Sequence, residues 1–370
     1  MTTSKPALFH RLEGRQAIAD LLAGRTDTDV LEVLDGRPAL LHLEGDEPGP
    51  HRLISVLLHG NEDSGYRALL DWLRSGGRSL RPLWLFIGNV RAATQNGWFG
   101  DRFLDDQEDF NRVWGIEPAT TRMRICAAQV LDIITAQPLE GAIDIHNNTG
   151  DNPMYAIIPD PTAATRSLAA LISRIGLIWG TQDNTLMQAL EGVCPAVAVE
   201  CGRAGVAAHV SWARRAIEVF MQAEELRPPD TSGDGWSGPM GEGQRLLEVR
   251  FRVEVRREVA FEFAQELSEA HDLSITPGLD AANFGRLHAG TRVGITVPGG
   301  DIPFVVLDDT GVDCAPAFLQ VDGEGSITLT RDVIPAMMTR SAEQTRRDCL
   351  FYIVADLGGT AGEPEPRLPL

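Results

Sequence analysis

Apolar residues fall along this chain in two patterns, and the change from one to the other divides it. Up to about residue 226 they come in short blocks: Leu53 to Leu58, Pro82 to Ile87, Ala142 to His146 and Ala196 to Glu200. Such blocks, bounded by turn residues, suit strands covered on both faces, as in parallel or mixed α/β sheets. Between them, helical spacing predicts helices over Phe9 to Ala23, Arg67 to Leu73, Thr121 to Gln137, Thr162 to Gly176 and Ala207 to Leu226. Val30 to Leu34 and Leu40 to Leu43 read as strands parted by an Asp35-Gly36 turn. Asn89 to Arg112 has no period and reads as a long functional loop.

Beyond residue 244 the pattern alternates. Leu247, Val249, Phe251, Val253 and Val255 interleave with Glu248, Arg250, Arg252 and Glu254, as in a half-solvated antiparallel strand. Shorter β-like stretches follow at Val293 to Val297, Phe304 to Leu307, Ile327 to Leu329 and Leu350 to Val354. The segment 227–244, dense in Pro, Gly, Ser and Asp, reads as a linker. The expected fold class is therefore α/β: a mixed sheet flanked by helices (1–226), then a smaller β-rich C-terminal domain (245–357). A disordered tail is expected over 358–370.

Three of the apolar blocks stop at a residue able to bind a metal or carry a proton: His59, His146 and Glu200. In open α/β sheets, ligands bind beyond the carboxyl ends of strands. Glu62 stands three residues after His59, where strand gives way to helix. His59, Glu62 and His146 together offer two imidazoles and a carboxylate, the donor set of a hydrolytic zinc site with one open position. Other divalent metals suit the same set. Glu200 would then serve as general base toward water and as acid toward a leaving amine. Asp144 shares a strand face with His146, where its carboxylate would orient the imidazole.

Charge narrows the partners. The 370 residues carry 33 Lys and Arg against 52 Asp and Glu, a formal charge of −19. That field argues against nucleic acid and anionic membrane surfaces as partners, and an anionic substrate would need a local basic pocket. No stretch approaches the roughly 18 apolar residues of a spanning helix, and the N-terminus lacks a signal-peptide core. Cys126, Cys194, Cys201, Cys314 and Cys349 are scattered, without CxxC spacing, so reduced thiols in the cytoplasm are expected. A homo-oligomer is compatible with the sequence.

The polar residues also form an ordered series. It runs His59-Gly60-Asn61-Glu62 with Gly65, Asn89-Val90-Arg91-Ala92, Asp109-Phe110-Asn111-Arg112, Asp144-Ile145-His146-Asn147 and Val199-Glu200-Cys201-Gly202. The series resembles the succinylglutamate desuccinylase/aspartoacylase family, which is related to the zinc carboxypeptidases. A looser echo lies at Leu287-His288-Ala289-Gly290-Thr291. The resemblance implies a metal-dependent amidohydrolase with one zinc per chain, held by His59, Glu62 and His146, with Glu200 as base. It further implies that Arg91 stabilises the oxyanion and that Asn111 and Arg112 hold a substrate carboxylate. Gln188-Ala189-Leu190 stands where aspartoacylases carry a second carboxylate-binding Arg, and a C-terminal-domain Tyr has no counterpart near 321–328. Arg203 is a candidate to replace one of those contacts.

The function expected from these residues is hydrolysis of an N-acyl amino acid, or a similar small amide bearing a carboxylate. Two alternatives stay open: a zinc carboxypeptidase acting on peptides, and a binding module that keeps the fold without the chemistry.

Overall fold

The computed structural model describes residues 7–180, 184–226 and 244–358. The expected linker, apart from Gln244, and the tail beyond residue 358 lie outside them. The chain divides into two compact units, Met1–Asn147 with Met154–Gln244, and Asn148–Pro153 with Arg245–Leu370.

In chain order the first unit runs β1 (His10–Glu13), α1 (Gly14–Leu22), α2 (Asp27–Leu34), β2 (Ala39–Leu43), β3 (His51–Val56) and α3 (Asp63–Arg74). It continues with β4 (Leu83–Ile87), α4 (Val90–Thr94), α5 (Arg122–Ile134), β5 (Leu139–Asn148), β6 (Tyr155–Ile158) and α6 (Ala163–Ile172). Then come β7 (Ile175–Ile178), α7 (Leu186–Ala189), β8 (Ala196–Arg203) and α8 (Ala207–Gln222). The strand order is β1-β2-β4-β3-β5-β8-β6-β7. β3 pairs in parallel with both β4 and β5, whereas β2–β4 and β6–β8 are antiparallel. The sheet is mixed, as the apolar blocks predicted.

Its two faces are covered by different helices. Ala142 of β5 and Leu53 of β3 join Cys126, Ala127 and Val130 of α5 in one buried cluster. On the opposite face Gly65 of α3 lies so close that a Cβ there would come within 2.8 Å of Ile145 and 3.2 Å of Val56. Strand alternation therefore puts Ala142, Asp144 and His146 on the α5 face and Ile143 and Ile145 on the α3 face.

Three expectations are corrected. Val30 to Leu34 is helical, the end of α2. The helix is started by Thr26, whose hydroxyl accepts from the Asp29 amide while the Asp29 carboxylate accepts from the Thr26 amide. This capping box fixes the backbone before the β-branched residue can favour a strand. The stretch Phe9 to Ala23 begins as strand β1, which pairs in parallel with β2, before α1 starts. Thr162 to Gly176 contains α6 but ends by Ile172 and feeds the short strand β7.

The second unit holds β9 (Arg245–Val255), β10 (Phe261–Phe263), β11 (Leu273–Ile275), β12 (Arg292–Thr296) and β13 (Phe304–Leu307). After α9 (Ala315–Phe318) come β14 (Leu319–Val321), β15 (Ser326–Leu329), β16 (Ile334–Ala336), α10 (Ala342–Arg347) and β17 (Phe351–Asp356). β17 and β13 both pair antiparallel with β9, and β10-β11-β12-β15-β14 form a separate sheet. Val253, Val255, Phe304, Val306, Phe351 and Ile353 share one core, so the alternation of β9 is what buries this unit.

Candidate metal centre

The centre is assembled where β3 ends. Leu57 adopts φ 60°, a left-handed backbone that few non-glycine residues take. The turn is held by the Gly88 and Asn89 amides, which donate to the carbonyls of Val56 and Leu57 at 3.0 and 2.6 Å. Gly60 lets the chain pass the start of α4, since a Cβ there would stand 2.5 Å from the Ala93 nitrogen. This bend delivers His59 and Glu62 to one side, and α3 starts at once with Asp63.

His146 comes from β5, and the three side chains meet. His59 Nδ1 lies 2.8 Å from Glu62 Oε1, and His146 Nδ1 lies 2.7 Å from Glu62 Oε2. One ligand atom from each falls within 4.8 Å of the others, and all three residues are buried. The outer ring nitrogens are also fixed: His59 Nε2 sits 3.0 Å from Asp109 Oδ1, and His146 Nε2 sits 2.6 Å from Asp144 Oδ2. A ligating imidazole characteristically gives its remote N–H to a carboxylate in this way, which turns the other nitrogen's lone pair inward. Two inward imidazole nitrogens beside a carboxylate fit a divalent metal.

Charge is balanced tightly here. Burial would raise the Glu62 and Asp109 pKa values, yet the facing imidazoles, with Arg102 beside Asp109, hold both well below the usual carboxylate range. Burial would lower that of His146, but the Asp144 and Glu62 carboxylates raise it well above the ordinary imidazole value. Glu200, half-buried on β8, is pushed up to about 7. Burial is the leading cause and Glu62 adds to it, against the pull of His146, His59 and Arg102. Those four influences place the Glu200 carboxyl in the field of the cluster. The amide of Asn147 also donates to Glu62 Oε2 at 3.2 Å, while its side chain ties Ser64 to the Gly202 carbonyl.

The loop arginines divide. Arg91 on α4 donates from Nε to Gln95 and from Nη2 to Asp106, at 3.0 and 2.8 Å, and its side chain is 40% exposed. Its guanidinium is occupied by surface partners and is not brought to the cluster. Arg102 takes that place: it donates to Asp109 Oδ2 from Nε and Nη2, at 3.1 and 3.0 Å, and its Nη1 stands 3.7 Å from Glu62 Oε1. The Gly60 amide donates to the Arg102 carbonyl at 2.9 Å, which pins the loop to the bend. Arg102, with Arg91 and Arg112, belongs to the basic group that the sequence places in this loop, whereas Asp109 carries no assignment from the sequence; the carboxylate opening the Asp-Phe-Asn-Arg motif was its available signal.

Asn111 is buried beside the cluster. Oδ1 accepts from the Leu186 amide at 3.0 Å, and Nδ2 lies 3.3 Å from His146 Nε2. Arg112 donates from Nη1 to the Asn111 carbonyl at 2.8 Å, which leaves the rest of its fork without a protein acceptor among the described residues. The Arg203 carbonyl pairs with His209 Nδ1, and the Arg203 Nε is buried without a hydrogen-bond partner among the described residues. His288, in the second unit, is exposed and pairs with Asp332 at 3.1 Å.

No family model matches the sequence, and no curated protein matches it. Solved structures do match. A succinylglutamate desuccinylase/aspartoacylase from Rhodobacter sphaeroides superposes with TM-score 0.56 at 16% identity, over 85% of this chain and 88% of that one. The product-bound ectoine utilization protein EutE from Ruegeria pomeroyi gives 0.55 at 15%, over 85% and 88%. A succinylglutamate desuccinylase from Vibrio parahaemolyticus gives 0.53 at 14%, over 86% and 86%. No helix among the described residues is long and apolar enough to cross a membrane. At these identities the likeness is one of architecture: the chain has the fold of the succinylglutamate desuccinylase/aspartoacylase proteins.

Proposed function

We propose that this chain is a zinc-dependent amidohydrolase that removes the acyl group from an N-acyl amino acid or a similar small amide bearing a carboxylate. The observation that carries the reading is the convergence of His59 Nδ1 and His146 Nδ1 on the Glu62 carboxylate, with Glu200 in the same field. His59, Glu62 and His146 would hold the zinc. When bound, it supplies a Lewis acid that polarises a carbonyl and lowers the pKa of water toward about 7.

The remaining steps belong to the protein. Glu200, as carboxylate, takes a proton from the attacking water as its oxygen bonds to the scissile carbon. It returns that proton to the amide nitrogen as the C–N bond breaks, giving a carboxylic acid and a free amine. A carboxyl with a raised pKa suits both directions of transfer. Arg102, fixed by Asp109 beside Glu62, directs positive charge at the developing oxyanion. Arg112 presents the unfilled part of its fork to a substrate carboxylate, the geometry guanidinium groups match best. These cations meet the need set by the −19 background. The five cysteines are free, which favours a cytoplasmic enzyme.

Replacing Glu200 by Gln tests the reading: turnover is lost while metal content, measured by mass spectrometry, is unchanged. Retained activity would remove Glu200 as the base. Assaying N-acyl amino acids beside short peptides separates the deacylase from a carboxypeptidase, and the expected preference is for the former.

A further inference from the structure

The end of β3 opposite the metal cluster, where His51 opens the strand, holds a second pair of imidazoles. There the His42 ring of β2 meets that of His51, with Nε2 of each 3.1 Å apart. Both rings lie against Trp84 of β4, with centroid distances of 4.5 Å for His42 and 5.8 Å for His51. Three paired strands thus hold the two imidazoles.

We propose that His42 and His51 form a second transition-metal site, separate from the catalytic centre, that takes a divalent cation of the zinc, nickel or copper type.

The protonation pattern supports this. Glu13 Oε2 lies 3.3 Å from His42 Nδ1, and Arg11 holds the other Glu13 oxygen at 2.6 Å. The nearby carboxylate favours a proton on His42 Nδ1, which leaves the Nε2 lone pair facing His51. This is how a carboxylate prepares a ligating imidazole. His51 Nδ1 is buried with no hydrogen-bond partner among the described residues, so the ring's hydrogen bond is the one to the facing nitrogen of His42. Burial and His42 also hold the His51 pKa below its usual value, so it is a neutral ligand at neutral pH.

The spacing agrees. Two nitrogens 3.1 Å apart, each about 2.05 Å from one ion, subtend about 100° at it. That lies between the square-planar angle of copper and nickel and the tetrahedral angle of zinc. Glu44 is exposed, and its negative charge acts on His51 and favours a cation there. Soft thiolates are absent from the set, so the borderline metals that imidazole prefers are the ones expected.

The test is metal stoichiometry on the full chain after loading with zinc and desalting. The wild type should hold two ions per chain. His51→Asn and His42→Gln should each hold one and keep wild-type hydrolytic activity. Glu44→Gln, at an exposed position, should fold normally and weaken the second ion's binding by about tenfold, the lower end of what loss of a supporting carboxylate costs. Copper titrated in as a second equivalent should give an electron paramagnetic resonance spectrum split by two nitrogens in the wild type, and lose that splitting in His51→Asn. One ion per chain in the wild type, retained in His51→Asn and lost in His59→Asn, would overturn this site and leave the catalytic reading standing. Two ions in the wild type with neither lost on His51→Asn would also overturn it.

Discussion

Asp109 Oδ1 lies 3.0 Å from Nε2 of His59, on the side of the ring turned away from Glu62. The same carboxylate holds Arg102 through Oδ2. One residue of the loop thus sets both the direction of an imidazole and the position of the nearest guanidinium. Replacing Asp109 by Ala frees both. Metal affinity should fall by about 10–100-fold, the usual effect of removing a carboxylate behind a ligating histidine. Competition against a chelator measures it, and unchanged affinity would show that Asp109 does not orient His59.

The arginines should separate cleanly. Arg102→Ala should lower kcat/KM by about 10²–10³-fold, the range for loss of one donor to a developing oxyanion. Arg91→Ala breaks an exposed pair with Asp106, and such pairs are worth about 0–1 kcal/mol. Its kcat/KM should stay within about threefold of wild type. The reverse ranking would return the oxyanion role to Arg91.

Periodicity made the strands legible because apolar blocks have few alternative readings. β3, β4, β5 and β8 are all of this kind, and with them came His59, His146 and Glu200. Alternation likewise placed Asp144 behind His146, where the structure has it 2.6 Å away. What escaped was decided by single contacts. The helix over Val30 to Leu34 depends on the Thr26–Asp29 cap, and β6 and β7 are four-residue strands that carry too little pattern to count. Between Asn89 and Arg112 no period exists to say which way a side chain points. Only the resemblance therefore set Arg91 apart from Arg102, and their different partners, Asp106 and Asp109, are legible only in the structure.

Gly60 is required by packing. An added Cβ would lie 2.5 Å from the Ala93 nitrogen and 2.6 Å from the Ala92 carbonyl carbon, both backbone atoms of α4 that cannot swing aside. Gly60→Ala should cost about 1–3 kcal/mol, as overpacking does. It should also loosen metal binding, because the bend carrying His59 must shift. Chemical denaturation and metal titration on the same variant check the two effects together. A variant as stable as wild type would mean that α4 yields.

The Glu200 carboxyl, pushed up to about 7 in the metal-free protein, must be ionised to accept a proton from water. A divalent cation beside it favours the ionised form. The acid limb of kcat/KM should therefore fall below pH 7 in the loaded enzyme, and activity should rise with pH through that limb. An acid limb above pH 7 would contradict the assignment.

Metal uptake should release a proton. His146 is held protonated in the metal-free cluster, its pKa raised well above 6.5 by Asp144 and Glu62 against the effect of burial. Only the neutral ring can ligate, so at pH 7 binding must displace about one proton from it. Calorimetric titration with zinc in two buffers of different ionisation enthalpy should then give enthalpies that differ by that one proton. The sign for stability follows from the same shift. A raised imidazole pKa contributes stability that is fully present below about 6.5 and is lost as pH rises through the folded value. The metal-free protein should therefore melt at lower temperature as the solution becomes alkaline, while zinc affinity rises over the same range because less proton has to be displaced. Buffer-independent binding enthalpy at pH 7 would show that His146 is already neutral, and that its two carboxylates do not hold the proton the geometry assigns to it.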